Sequence, residues 1–269
     1  MINGNSLRYP DDEISLKQKI DALNDKWYKF LCEHCTDDIA SLYVSDGFYP
    51  YYTHQKIRIL FIGKEALEIA GCDYIETLFE AIKSNRIGEK TLNQNQLHRL
   101  LLYITYGLQR GLHNFEDIPN ATEISKDFAT QHGISYAFMN LSKFSNESGE
   151  WQSDEELIDI FLKTSSMSNE NLFAKEIEIL NPHLIIGMNL NEGERMDRYK
   201  YLGKLKSQKF YGSERQVCAQ RLETPVSEYN FLDCYHFSAP KKSDKNDFYL
   251  PIVEAVKNIF HNPLAELKF

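Results

Sequence analysis

The segment Lys56–Ala66 constrains the fold of this chain more than any other part of the sequence. Its centre, Ile59–Ile62, is an unbroken run of large apolar residues, which is typical of a strand that is buried on both faces of a parallel sheet. The run stops at Gly63, and two charged residues follow it. Open α/β sheets bind ligands beyond the carboxyl ends of their strands, and a glycine there lets a ligand approach the backbone closely. We therefore expect a ligand site at this point.

Strand-like apolar runs alternate with helical patterns along the rest of the chain. The apolar runs predict strands at 56–62, 134–140, 183–189 and 229–235. Helical spacing predicts helices at 13–35, 74–84, 93–110, 121–132, from Ser153 onward, 169–180 and 246–261. The alternation favours one α/β domain, a three-layer α/β/α sandwich around a four-stranded, mostly parallel sheet. Its core should cover about 56–260, after an N-terminal helical extension over about 1–50.

Composition limits the location and the cofactors that we expect. No stretch approaches the roughly 18 apolar residues of a membrane helix, and the first residues do not resemble a signal peptide. We expect a cytoplasmic protein with no membrane partner. The five cysteines have no regular spacing, which argues against a disulfide framework. Cys32 and Cys35 resemble half of a metal site, but no second ligand pair has suitable spacing, so we expect no metal and no cofactor.

Charge is distributed unevenly along the chain. The net charge is −9, yet residues 195–221 contain eight basic and two acidic residues, so this segment carries +6 and the remainder −15. Four aromatic residues are interleaved with these charges: Tyr199, Tyr201, Phe210 and Tyr211. Basic residues among aromatic ones suit binding to single- or double-stranded DNA. A solvated, mobile loop would give the same pattern, and the sequence leaves both interpretations open.

Polar residues follow three of the four predicted strands. Gly63, Lys64 and Glu65 follow the first, Asn140 ends the second, and His236 and Ser238 follow the fourth. Because the carboxyl ends of parallel strands lie at one edge of a sheet, a carboxylate, an amide and an imidazole should face one crevice. The amide can pair with a carbonyl and an N–H group, and the imidazole can donate to a developing oxyanion. Each residue also has a structural explanation, as a partner of a helix dipole or as a turn residue.

The order of these motifs resembles that of the uracil-DNA glycosylase superfamily. Four segments carry the resemblance: Gly63–Ala66 after the first strand, Met139–Lys143 at the base-reading asparagine, Asn181–Gly187 at the third strand, and His236–Pro240 as the last motif. The resemblance covers about residues 56–260. It implies a protein that flips a base out of the stack and hydrolyses the N-glycosidic bond of uracil or another damaged base.

The resemblance also implies a role for each residue. It assigns Glu65 and His236 to catalysis, Gly63, Lys64 and Asn140 to base binding, and Ser238, Lys241 and Lys242 to phosphate binding. In this scheme the carboxylate activates water or stabilises a cation, and the imidazole stabilises the departing uracil anion. Two alternatives stay open: a superfamily member that binds nucleic acid or a nucleobase without cleavage, and an unrelated α/β hydrolase for a small ligand.

Overall fold

The helices and strands of a computed structural model are described for residues 7–111, 114–150, 152–190 and 197–261. Over these ranges the strands are β1 (Gly47–Phe48), β2 (Ile59–Gly63), β3 (Arg86–Ile87), β4 (Lys90–Thr91), β5 (Ala137–Asn140), β6 (Leu184–Met188), β7 (Lys204–Tyr211), β8 (Val217–Glu223) and β9 (Glu228–Cys234). The α-helices are α1 (Ile14–His34), α2 (Asp37–Ala40), α3 (Tyr74–Lys83), α4 (Gln96–Arg110), α5 (Ala121–Asp127), α6 (Glu155–Ser165), α7 (Leu172–Leu180) and α8 (Leu250–His261). Within the described ranges, every helix is too short or too polar to cross a membrane.

Seven of the described strands form one mixed sheet in the order β1-β5-β2-β6-β9-β8-β7. The inner strands β5, β2, β6 and β9 are parallel to one another, whereas β1, β8 and β7 are antiparallel to their neighbours. The α/β class is confirmed, but the prediction of a four-stranded, mostly parallel sheet is wrong. Strands β1 and β7 were not predicted, because β1 has only two residues and the edge strand β7 is mostly exposed and polar.

The predicted elements recur with shifted ends, and side-chain hydrogen bonds explain some of the shifts. The strand predicted at 56–62 is β2, which begins at Ile59. The Gln109 side chain bonds both the N–H and the carbonyl of Ile57, so Ile57 does not pair with another strand. The helix α6 is capped by Asp154 rather than Ser153, since the Asp154 carboxylate accepts the Leu157 N–H at 2.9 Å.

Helices cover both faces of the sheet. Leu60 and Ile62 of β2 are buried with residues of α1, α6 and α7, and Ile59 and Phe61 are buried with residues of α3, α4, α5 and α8. This division follows from the two-residue repeat of a strand, which sends successive side chains to opposite faces. Trp27 of α1 packs against aromatic rings of α6 and α7, so this helix is part of one covering layer.

The path of the chain makes a topological switch point at one edge of the sheet. From β2 the chain passes to β5 on one side, and from β6 it passes by way of β7 and β8 to β9 on the other side. Open α/β sheets bind ligands beyond the carboxyl ends of the strands that flank such a point, here β2 and β6. The polar residues that follow β2, β5 and β9 lie at this edge of the sheet, which we call the crevice.

Candidate functional site

Gly63 and Asn140 lie side by side at the carboxyl ends of β2 and β5, where they are paired in the register. A Cβ atom on Gly63 would stand 3.0 Å from the Phe138 ring and 3.2 Å from Asn140 Oδ1, so glycine leaves room for the amide. Asn140 is 1% exposed, and among the described residues its buried Nδ2 has no hydrogen-bond partner. An unsatisfied buried donor is costly, which makes this amide group suited to a ligand acceptor.

A buried ionic cluster holds the end of β5 from behind. The Asn140 backbone N–H donates to Asp46 Oδ2 at 2.7 Å, and Asp46 also pairs with the Lys143 ammonium. Lys143 Nζ lies 2.9 Å from Glu176 Oε2 and 5.0 Å from the Trp27 ring centroid. All three ionisable side chains are almost completely buried, so the cluster fixes the backbone that carries the Asn140 amide.

Burial and the neighbouring charges shift the pKa values of two groups in this cluster. Burial, with the nearby charge of Asp46, raises the pKa of Glu176 well above its ordinary value. Burial alone would lower the pKa of Lys143, but the Asp46 and Glu176 carboxyl groups raise it above its usual value. The sequence analysis missed Asp46, because it precedes the first predicted strand and is 94 residues from Asn140.

Glu65 combines a structural contact with a titratable oxygen. Its Oε1 accepts the Asp154 backbone N–H at 2.9 Å and the Asn146 side-chain amide at 3.3 Å. Its Oε2 is buried and finds no hydrogen-bond partner in the described part of the chain. Burial raises the pKa of Glu65 to about 7, although the bonds from Asp154 and Asn146 oppose the rise. One oxygen therefore anchors the start of α6, and the carboxyl group titrates near neutral pH.

His236 is held in one neutral form by the turn that follows β9. The Ser238 backbone N–H donates to His236 Nδ1 at 3.2 Å, and the Ser238 hydroxyl lies 2.6 Å from the same nitrogen. Two donors at Nδ1 place the ring proton on Nε2. Burial, with the positive charge of Lys64, lowers the pKa of His236 to about 4. At neutral pH the ring is therefore an uncharged N–H donor.

The three lysines predicted to bind a base or a phosphate do not form one cluster. Lys64 Nζ lies 3.1 Å from Glu155 Oε1 at the start of α6, so its ammonium is already paired. Lys242 Nζ lies 4.1 Å from the Tyr235 ring centroid, and Lys241 is exposed in a left-handed conformation with φ of 60°. Both follow the His236 turn in the chain.

The strand order fixes how far apart the predicted groups lie. Gly63 and Asn140 are neighbours, whereas β6 separates the end of β2 from that of β9. Adjacent strands are about 4.8 Å apart, so Glu65 and His236 follow strands that are roughly 10 Å apart.

Asp233 is a candidate residue that the sequence analysis did not identify. It pairs with Gly187 of β6 near the carboxyl end of β9, and its Oδ1 is buried without a hydrogen-bond partner among the described residues. Burial raises the pKa of Asp233 to about 6, and the Tyr199 hydroxyl and the backbone N–H groups of Asn189 and Cys234 partly offset the rise. An acid between the buried residues Leu232 and Cys234 was the available signal.

The basic segment 195–221 forms structure rather than a loop where it is described. Arg195 lies outside the described residues, and the rest includes β7 and most of β8. Arg198 is 1% exposed and pairs with two acids of α6, while Lys206 Nζ lies 2.7 Å from Glu223 Oε2. These two charges are neutralised within the protein and do not contribute to a free basic surface.

Metal-ligating side chains are scattered. Among the described residues, no three His, Cys, Asp or Glu side chains are grouped so that they could hold a metal ion. Cys32 is exposed on α1, and the half-buried Cys35 follows that helix, with its Sγ 3.8 Å from Thr164 Oγ1.

The fold and the crevice define an α/β protein whose candidate site lies at the carboxyl ends of parallel strands. A comparison with models of known protein families finds no match, and a comparison with curated proteins finds none either.

Proposed function

We propose that this chain is a uracil-DNA glycosylase-like protein, which recognises a nucleic-acid base in the crevice and hydrolyses its N-glycosidic bond. The parallel strands β5, β2, β6 and β9 would be the glycosylase-like core of the larger sheet. One observation carries the proposal: the Asn140 amide is buried beside Gly63 with its Nδ2 unpartnered in the described part of the chain. An amide offers both a donor and an acceptor, which matches the carbonyl and N–H groups of uracil.

The two residues assigned to catalysis have the protonation states that this reaction needs. With a pKa of about 7, Glu65 is largely ionised above neutral pH and can accept a proton from water. The water oxygen would bond to C1′ of the sugar, the C1′–N bond would break, and the base would leave as an anion. Neutral His236 would stabilise that anion through its Nε2–H group, since a donor already in place needs no reorganisation.

Contacts to the nucleic-acid backbone would come from the turn after β9 and from segment 195–221. Ser238 and Lys241 are exposed beside His236, and Lys242 follows them. These groups are proposed to bind phosphate. Lys64, proposed to bind the base, would do so if its pair with Glu155 opened. The partner would be DNA, and the damaged base would be uracil or another flipped base.

The proposal is tested by measuring base release. Single- and double-stranded oligonucleotides that carry uracil, hypoxanthine or a mismatched base are incubated with the protein, and alkali-labile abasic sites are counted. Glu65→Gln and His236→Ala should each reduce release by about 100-fold or more. Lys206→Ala is the matched control, because its charge lies in an exposed pair with Glu223 and Glu228. Release that persists in both crevice variants would contradict the assignment.

A non-catalytic base binder is the second candidate, and one observation favours it. Glu65 Oε1 is already bonded to Asp154 and Asn146, so the carboxylate has a structural role that needs no chemistry. In that case the wild-type protein releases no base from any substrate, while Asn140→Ala still weakens binding to a uracil-containing strand. Absence of both release and nucleic-acid binding would instead favour a small-ligand α/β protein.

A further inference from the structure

The β7–β8 hairpin reaches the same edge of the sheet as the crevice. Val217 begins β8 and pairs with Cys234 at the end of β9, two residues before His236. Since β8 runs antiparallel to β9, the turn at 212–216 lies beside the carboxyl ends of the parallel strands. The tip of the hairpin is thus a near neighbour of the proposed site.

A row of paired residues connects the hairpin to the crevice. Phe210 pairs with Cys218, Cys218 with Asp233, and Asp233 with Gly187, and directly paired residues point to the same face of a sheet. Strands are spaced by about 4.8 Å, so Phe210 lies roughly 10 Å from Asp233 across the sheet. The opposite face of the hairpin is buried under α8, where Val217 belongs to the same core as residues of that helix.

Phe210 and Arg215 form an exposed stacked pair on this row. The Phe210 side chain is 37% exposed, and the Arg215 guanidinium carbon lies 3.7 Å from its ring centroid. Arg215 is exposed at the tip, and it forms no ion pair with any other described residue. An aromatic ring beside an unpaired guanidinium provides a flat stacking surface and a positive charge together.

The three lysines of β7 differ from Arg215 in pairing or in orientation. Lys206 is paired with Glu223 and Glu228. Lys204 and Lys209 pair in the register with Glu223 and Ala219, so both lie on the α8 face rather than on the face of Phe210. The unpaired charge on the face of Phe210 is thus at the tip, beside the crevice.

We infer that the Phe210–Arg215 pair binds one unstacked base of a single nucleic-acid strand, with a neighbouring phosphate at Arg215. The inference rests on the proposed function, because it supplies the strand whose target base enters the crevice. A single strand is the occupant because duplex bases are stacked on each other and cannot reach an aromatic ring on the protein surface.

Fluorescence anisotropy with a labelled, undamaged oligothymidine tests this inference without requiring catalysis. Phe210→Ala and Arg215→Ala should each weaken binding by about tenfold, the usual effect of losing one stacked base. Arg215→Lys keeps the charge but loses the planar group, so it should recover only part of the affinity. Lys206→Ala should bind like the wild-type protein, and an unlabelled duplex should compete more weakly than an unlabelled single strand.

The same variants separate this inference from the proposed function. Unchanged binding by Phe210→Ala, or an equal loss with Lys206→Ala, would overturn the hairpin site even if the protein releases uracil. Equal competition by duplex and single strand would overturn it as well. If Phe210→Ala weakens binding while no base is released by the wild-type protein, the hairpin site stands and the glycosylase proposal falls.

Discussion

The crevice and the hairpin tip lie at one edge of the same sheet, but they hold their polar groups in opposite ways. In the crevice, burial raises the pKa of Glu65 to about 7 and that of Asp233 to about 6. On the hairpin, Phe210 and Arg215 are exposed to solvent. Buried ionisable groups respond strongly to a ligand because little water competes for them. The crevice is therefore suited to chemistry and the hairpin to contact with a polyanion.

The same contrast appears between two lysines. Lys143 is buried between Asp46 and Glu176, whereas Lys206 is exposed between Glu223 and Glu228. Both make two contacts with acids, yet only the buried one has no water to replace a lost partner. Burial, rather than the number of ion pairs, should decide what each lysine contributes to stability.

The largest effect should come from Lys143→Met, which leaves the Asp46 carboxylate buried without its ammonium partner. We expect a loss of about 3–5 kcal/mol in the free energy of unfolding, as is found when one partner of a buried pair is removed. Urea unfolding would measure it, with Lys206→Met as the control that should unfold at the wild-type midpoint. Equal shifts for the two variants would refute the contrast between these lysines.

The next effect concerns the pH dependence of base release. If Glu65 must be ionised, the rate should fall about tenfold for each pH unit below its pKa of about 7 and should level off above it. His236, with a pKa of about 4, stays neutral over this range and should add no second slope. Single-turnover rates between pH 5 and 9 measure the profile. A slope that remains in Glu65→Gln would show that another group controls the reaction.

A smaller effect is expected for Asp233→Asn. The folded protein holds the Asp233 proton up to about pH 6, whereas an unfolded chain releases it near the ordinary value of 3.8. The folded state therefore binds more protons between these values, and stability should fall as pH rises from about 4 to about 6. Stability of the Asp233→Asn variant should not fall with rising pH in this way, so the variant should be more stable than the wild-type protein at pH 7. Thermal unfolding at several pH values tests it, and an unchanged profile would exclude Asp233 as the cause.

The smallest effect is on the salt dependence of nucleic-acid binding. Arg215→Ala should reduce the slope of log affinity against log salt by about 0.7, which corresponds to one phosphate contact on a single strand. Phe210→Ala should weaken binding with the slope preserved, because stacking releases no counterions. Affinities measured from about 50 to about 300 mM salt would distinguish the two variants. A slope unchanged in Arg215→Ala would place the phosphate elsewhere.

The sequence predicted strands only where they are buried along most of their length. The run Ile59–Ile62 identified a central strand because both of its faces are covered. The hairpin was missed because β7 is exposed along most of its length and its charges obscure the two-residue repeat. The places of Asn140 at the end of β5 and of His236 just after β9 were predicted, because the apolar runs before them are local features of the sequence. Asp46 and Asp233 were missed because their significance comes from distant residues that pack around them.

The sequence by itself determined the α/β class and the set of polar residues that follow the buried strands. Apolar runs, and the glycine and polar residues at which they end, are local properties of the chain. Only the tertiary structure decided that Gly63 and Asn140 are neighbours and that Lys143 lies between two acids. It also decided that Arg198 forms ion pairs with acidic residues of α6. Those facts depend on strand order and on what each side chain loses to burial. Such quantities arise from contacts between residues that are far apart in the chain.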